Sequence, residues 1–453
     1  MDLYSGKAAF VGFGEINSPQ DLIAEMCHNA LREVKSLGID VVATDYVTDD
    51  AKGERVHAAL SILEEEKFDV LIICLAGWIP SHAVISITDA YKDKPMILWG
   101  LAGTIENGRI VTAAAQAGTT ALRGVFEMLG YRFIYIYNII GKPSPLDEIK
   151  NFVTASFATR SLSGKKVGMM GFRDMRLYNT LYDGISLKSI LGVEIEFFEM
   201  LEMQERSLSS NEDDIASILH EIKGKWNFIK PIDESFLRKG IAYYLAIKSI
   251  SEEGGFDSIS LKDVDGMKKL LHFPPAFVFM LLADKLGLCT IPENDVMGAV
   301  TQLVVKALTG QSAAYLEFYE FLESSLLMGV PDYVPEEVVQ DSVDITSSAF
   351  GLISGGLLNV SKMKTGRITI VRISNCGDRY SMHIGTGEAK LRAWEEAGWA
   401  QPAPQLPSLE IFLDSPVPEF VQHITGQHYI IAYGDHTKVL RDFCYLKGIK
   451  LTM

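Results

Sequence analysis

Short apolar runs alternate with helical-period segments from residue 8 to about residue 310, and this alternation is the tightest constraint on what the chain can fold into. Ala8–Phe13 is followed by helical spacing between Pro19 and Leu37 (Leu22, Ile23, Met26, Ala30, Leu31, Val34), a strand-like Val41–Thr44, a helical segment from Asp50 to Glu65, and the run Val70–Leu75. The cycle repeats through Pro95–Trp99 and a helix near Thr119–Leu129. Strands separated by helices of this length pair in parallel through crossover connections. Residues 1–164 are thus predicted to form a Rossmann-like, doubly wound α/β domain. Lys165–Gly171 restarts the pattern, Val193–Glu199 adds a strand, and helical spacing returns in Asp213–Ile222, Phe236–Ser249 and Pro275–Leu286, which makes residues 165–330 a second such domain. Within it, GFRDMRLYN at 171–179 is expected to open a helix. Beyond Pro331 the runs Arg367–Ile373, Tyr380–Ile384, Leu409–Leu413 and Tyr429–Tyr433 are separated by turn residues, with one helical segment at Thr437–Leu446. Residues 331–453 are therefore predicted to be mostly β, a small barrel or sandwich.

Charge narrows the function. A formal charge of −16 disfavours a nucleic-acid backbone or an anionic membrane as partner, because both require clustered Lys and Arg. A small neutral substrate, alone or with a divalent cation, suits an acidic protein better. Cys27, Cys74, Cys289, Cys376 and Cys444 are scattered among apolar neighbours without a CxxC pair, the pattern of buried thiols in a reducing compartment. MDLYSGKAAFVGFGE lacks a basic segment leading into a long apolar core, and no apolar run approaches the about 18 residues of a membrane span. A cytoplasmic location is expected. Gly12 and Gly14 follow the first strand, but the third glycine of a dinucleotide fingerprint is missing, so a nicotinamide cofactor is not supported.

Candidate chemistry gathers at Leu288–Gly310, LCTIPENDVMGAVTQLVVKALTG. A strand-to-helix junction here lifts Glu293 to the carboxyl end of the sheet, where open α/β folds bind ligands. Asn294 or Asp295 is placed to cap the helix. Glu317, in AAYLEFYEF, follows after one helix and a return strand, which brings a second carboxylate to the same edge. Glu320 competes for that role, although strand alternation turns it to the opposite face. His428, in TGQHYIIAYGD, is either a surface-turn histidine or the third member of a site. Two carboxylates and an imidazole form a donor set suited to Mn²⁺, Fe²⁺ or Co²⁺. Trp78, in CLAGWIPSHAV, is either core padding or a platform for a sugar's apolar face. Arg173 and Arg176 either pair with Asp174 or Asp183 or meet an anionic substituent, since guanidinium forks match sulfonate, phosphate and carboxylate oxygens.

AGWIPSH at 76–82, KKVGMMGFRDM at 165–175, CTIPENDVMGAVTQLVVKALTG at 289–310 and GQHYIIAYGD at 426–435 together resemble the L-fucose isomerase and L-arabinose isomerase superfamily, in its fucose isomerase-like branch. The resemblance runs along essentially the whole chain. It implies aldose–ketose isomerisation through an ene-diol at a divalent metal, Mn²⁺ or else Co²⁺, Fe²⁺ or Mg²⁺. Glu293, Glu317 and His428 would hold the metal, with the two glutamates as acid and base. Gln427 would reach a sugar hydroxyl and Trp78 would wall the substrate. A homo-oligomer, commonly a hexamer, is also implied, as is a substrate among deoxy-sugars, pentoses and modified hexoses, sulfonated ones included. Glu317 departs from the family's usual aspartate, and DITSSAFGLISGG stands where other members carry His-Cys-Gly. A non-catalytic sugar-binding or regulatory protein on the same scaffold is the alternative.

Overall fold

A computed structural model describes residues 6–330, 333–350, 354–376, 379–391 and 408–453. The chain divides into two compact units, Met1–Arg160 with Lys438–Leu446, and Ser161–Thr437 with Lys447–Met453. Pro331, beside the predicted boundary at 330, lies outside the described residues, as does part of the SSAFGLISGG stretch.

In the first unit, β1 (Lys7–Phe13), β2 (Asp40–Ala43), β3 (Val70–Leu75), β4 (Met96–Gly100), the hairpin β5 (Thr104–Glu106) and β6 (Arg109–Val111), and β7 (Phe133–Tyr137) follow in order. The main sheet runs β2-β1-β3-β4-β7, all parallel. Every residue of β3 is buried, as expected for a strand covered on both faces. The helix Thr437–Lys447 supplies this unit's last segment: the Tyr445 hydroxyl accepts from Phe133 N–H at 3.2 Å and donates to its carbonyl at 3.0 Å.

The second unit combines two architectures. β8 (Lys166–Met170), β9 (Glu194–Phe198), β10 (Asn227–Phe228), β11 (Ser258–Leu261) and β12 (Cys289–Ile291) come first, and β12-β11-β8-β9 form a parallel sheet. Next are β13 (Ala314–Phe321), β14 (Leu326–Gly329), β15 (Asp344–Phe350), β16 (Ser354–Asn359), β17 (Gly366–Cys376), β18 (Arg379–Lys390), β19 (Ser408–Leu413), β20 (His428–Tyr433) and β21 (Lys450–Thr452). The antiparallel order β17-β20-β13-β14-β19-β18 closes on itself through β17–β18, giving a six-stranded barrel with β21 added outside. Two barrel strands, β13 and β14, therefore precede residue 330.

The helix Val296–Thr309 joins sheet and barrel. It packs against β8, β11 and β12 and also against β17 and β20. Contact on both sides explains why VMGAVTQLVV is buried all round and shows no polar stripe. Its N-terminus springs from the parallel sheet, and its C-terminus at Gly310, φ +76°, hands the chain to β13. Cys27, Cys74, Cys289 and Cys444 are buried. Among the described residues no helix is long and apolar enough to cross a membrane.

His383 on β18 is fully buried, with Nδ1 at 2.8 Å from the Tyr429 hydroxyl and its ring 4.4 Å from that of Phe420. Burial, helped by nearby His423, pushes its pKa down to about 4 from 6.5. Between those values the unfolded chain binds a proton that the folded chain refuses, so stability falls as pH falls, by up to about 3 kcal/mol. His383→Gln should flatten this dependence: the drop in thermal midpoint between pH 7 and pH 4.5 is expected to be smaller than in the parent protein. An equal drop would show that His383 is not the group responsible.

Candidate active site

The site begins with the turn after β12. Glu293 and Asn294 both adopt left-handed backbone, φ +63° and +52°, which costs a non-glycine residue about 1–2 kcal/mol. Four hydrogen bonds hold it. Glu293 N–H donates to Asp263 Oδ1 at 2.7 Å, Asn294 N–H to the Leu261 carbonyl at 3.2 Å, and Asn294 Nδ2 to the carbonyls of Met170 and Gly171 at 3.1 Å each. The turn is thus stitched to the carboxyl ends of β8 and β11. Asp263 in turn accepts from Lys268 Nζ at 2.9 Å, both side chains buried.

The other half comes from the barrel. Glu317 on β13 faces His428 on β20 in register. Tyr315 is two residues earlier on the same strand face as Glu317, and its ring lies flat on His428, centroids 4.3 Å apart and planes 12° apart. His428 Nδ1 is 3.8 Å from Glu293 Oε2, and its Nε2 is 3.6 Å from Glu317 Oε2. The imidazole therefore stands between the two carboxylates. Register shifts between Phe318 and Glu320, and Glu320 is exposed, so the acid brought to His428 is Glu317. Gln427 Nε2 donates to Glu293 Oε2 across 3.4 Å.

His428 is neutral. Burial pushes its pKa down to about 3; the Asp295 charge pulls the other way, and the Arg372 charge adds to the burial effect. A neutral imidazole keeps the lone pair that a metal ligand needs, and with two carboxylates it makes a donor set that fits Mn²⁺ or Fe²⁺. The three meet as two pairs about the ring; among the described residues no three His, Cys, Asp or Glu are gathered into one ligand cluster.

Asp295 takes a different part from Glu293. It caps Val296–Thr309 by accepting Gly298 N–H at 3.0 Å, accepts the Tyr315 hydroxyl at 2.7 Å, and pairs with Arg372 through both of that residue's terminal nitrogens. Burial alone would raise its pKa, but the Arg372 charge and these hydrogen bonds outweigh that and hold the carboxylate below its ordinary value. Arg372 and Tyr315 are the partners that reading the sequence missed, along with Asp263 and Lys268. Signals existed: Arg372 interrupts the apolar run GRITIVRIS, and Tyr315 stands one strand period before Glu317.

GFRDMRLYN does not open a helix. It forms a tight turn in which Arg173, Met175 and Arg176 have φ of +41°, +45° and +57°, and the next helix begins only at Gly184. Asp174 causes this. It is fully buried and accepts the N–H groups of Val264 and Asp265 at 2.7 Å each and of Met175 at 3.0 Å. Asp183 meanwhile caps the helix Gly184–Leu191 through Ser186 N–H at 2.9 Å. Neither aspartate pairs with an arginine: Arg173 lies over the Tyr178 ring at 5.2 Å, and among the described residues neither Arg173 nor Arg176 makes an ion pair. This loop is tied to the Glu293 turn through Gly171, whose carbonyl Asn294 holds. Trp78 belongs to the first unit, exposed just past the carboxyl end of β3, its backbone N–H donating to the Ala113 carbonyl at 2.7 Å.

Two known proteins match the chain across most of its length. Sulfoquinovose isomerases of Priestia aryabhattai and of Priestia megaterium are each 17% identical to it over 339 residues, covering 74% of this chain and 75% of theirs. The likeness is to sugar isomerases. It is distant, and no protein-family model matches the chain.

Proposed function

We propose that this protein is a divalent-metal-dependent aldose–ketose isomerase whose substrate is a sulfonated hexose. The observation that carries the reading is the placement of a buried, neutral His428 between Glu293 and Glu317, drawn from the sheet and the barrel. The distant likeness to two sulfoquinovose isomerases supports sugar isomerisation in general. The two arginines without ion-pair partners, in a loop fastened to the Glu293 turn, favour an anionic substituent on the sugar.

Glu293, Glu317 and His428 would hold the ion. When bound, the ion supplies a Lewis acid that stabilises negative charge on the substrate's C1 and C2 oxygens. The protein's own groups do the rest. One glutamate removes the C2 proton of the open-chain aldose, and the electron pair moves through the C1–C2 bond to O1, giving the ene-diolate. Proton delivery to C1, with transfer of the O2 proton to O1, completes the ketose. Gln427 steadies the Glu293 carboxylate through its amide.

The test is a solvent-deuterium exchange assay with Mn²⁺-loaded protein on sulfonated and unsulfonated hexoses, pentoses and deoxy-sugars. Deuterium is expected at C2 of the aldose or C1 of the ketose, and chelator should abolish turnover. Sugar affinity indifferent to chelator, with no exchange on any member of the panel, would instead support a binding protein.

A further inference from the structure

Asp295 is closed to catalysis because its acceptor positions are already filled. A carboxylate offers about four lone-pair sites. Oδ1 receives Gly298 N–H at 3.0 Å and Arg372 Nη2 at 2.9 Å, while Oδ2 receives the Tyr315 hydroxyl at 2.7 Å and Arg372 Nη1. From this hub two arms reach His428. Arg372 Nη1 also donates to the His428 carbonyl at 3.3 Å, and the Tyr315 ring, fixed by its hydroxyl, lies against the imidazole. Backbone and ring of one residue are thereby held by the same carboxylate.

Two glycines make room for this arrangement. A Cβ on Gly298 would stand 2.7 Å from Asp295 Oδ2 and 2.8 Å from Tyr315 Cε2; one on Gly426 would stand 3.0 Å from Arg372 Nε and 3.2 Å from its Cζ. They lie in the two stretches that also carry Glu293 and His428. Arg372 and Asp295 are each only 1% exposed. A buried ion pair is no better for stability than apolar residues of the same shape, and is often worse, so its presence beside the site calls for a role in geometry.

We propose that Asp295, Arg372 and Tyr315 form one positioning device that fixes His428 between Glu293 and Glu317. The inference rests on the isomerase reading for its functional consequence, not for the geometry it asserts. None of the three is a catalytic residue.

The test compares Asp295→Asn, Arg372→Met, the double variant and Tyr315→Phe. Each charged single leaves its partner buried and uncompensated, so thermal midpoints should fall; the double removes both charges and should recover much of the loss. Mn²⁺ affinity by calorimetry and kcat should not recover with it: both are expected to stay about tenfold or more below the parent, with KM little changed. A double variant that regains stability, Mn²⁺ affinity and kcat together would overturn the proposal, leaving the pair merely structural. Tyr315→Phe keeps the ring and loses the hydroxyl, so it carries the same test if the double fails to fold; parent-like Mn²⁺ affinity and kcat there would overturn it too. A further arm uses metal-free protein: diethyl pyrocarbonate modification of His428, followed by peptide mass spectrometry, should be faster in the folded double or in Tyr315→Phe. An unchanged rate overturns the device whatever the activity. Failure of the parent protein to bind Mn²⁺ or isomerise any sugar would overturn the isomerase reading instead.

Discussion

Glu293→Gln is expected to lower kcat by about 10²–10⁴-fold, the range for loss of a positioned acid–base group, and to weaken Mn²⁺ binding. The substitution is informative because it leaves the turn alone. What fixes Glu293 is its backbone: the N–H bond to Asp263, the neighbouring Asn294 bonds to Met170 and Gly171, and the φ of +63° none of which depends on the side-chain carboxylate. An amide of the same shape can still meet Gln427. Loss of activity with an unchanged melting curve therefore reports on charge and basicity at that atom. Glu320→Gln is the matched control, since Glu320 is exposed beyond the strand irregularity and should retain parent kcat. Steady-state rates and deuterium exchange, measured side by side, decide the matter; parent-like turnover in Glu293→Gln would remove this carboxylate from the mechanism.

How much was legible in the sequence follows from the range of the interactions concerned. Alternating apolar and helical periods are local, and they yield the parallel sheets; short strands with turn residues between them yield the barrel. Glu293 could be found because a strand end, a proline and a helix start adjoin it in sequence. Glu317 and His428 could be named as candidates, but their meeting depends on the antiparallel register of β13 with β20, a pairing across more than a hundred residues. Arg372 and Asp295 lie 77 residues apart, and neither residue's neighbours announce the other. The turn at 171–179 shows the same limit from the other side. Its residue types suit a helix start, and what forbids one is Asp174 reaching the backbone of Val264 and Asp265, a contact with no local trace. The helix Thr437–Lys447 has a clear apolar face, yet its period cannot say that this face completes the first unit.

Replacing Arg173 and Arg176 together by Ala is expected to lower kcat/KM for a sulfonated hexose by about 10²–10⁴-fold, from two charge-assisted hydrogen bonds worth about 1.5–3 kcal/mol each. The parent hexose without the sulfonate should lose little, so the sulfonated-to-unsulfonated preference should collapse. The loss should appear mainly in KM, because a group remote from C1 and C2 is held alike in the bound sugar and in the ene-diolate. Why these two side chains rather than other surface arginines follows from their backbone. Three left-handed residues in one short turn store strain of about 1–3 kcal/mol each, and the buried Asp174 that imposes it spends its acceptor bonds on backbone N–H groups, leaving the arginines unpaired by it. Elsewhere half-buried arginines such as Arg206 and Arg367 are already engaged with carboxylates. Single variants separate the two roles: Arg173→Ala also removes the contact with Tyr178, so Arg176→Ala is the cleaner measure of charge alone. Unchanged preference in the double variant would place the anion-recognising group elsewhere in the protein, whereas a parent protein with no preference for the sulfonated hexose would favour an uncharged sugar as the substrate of this site.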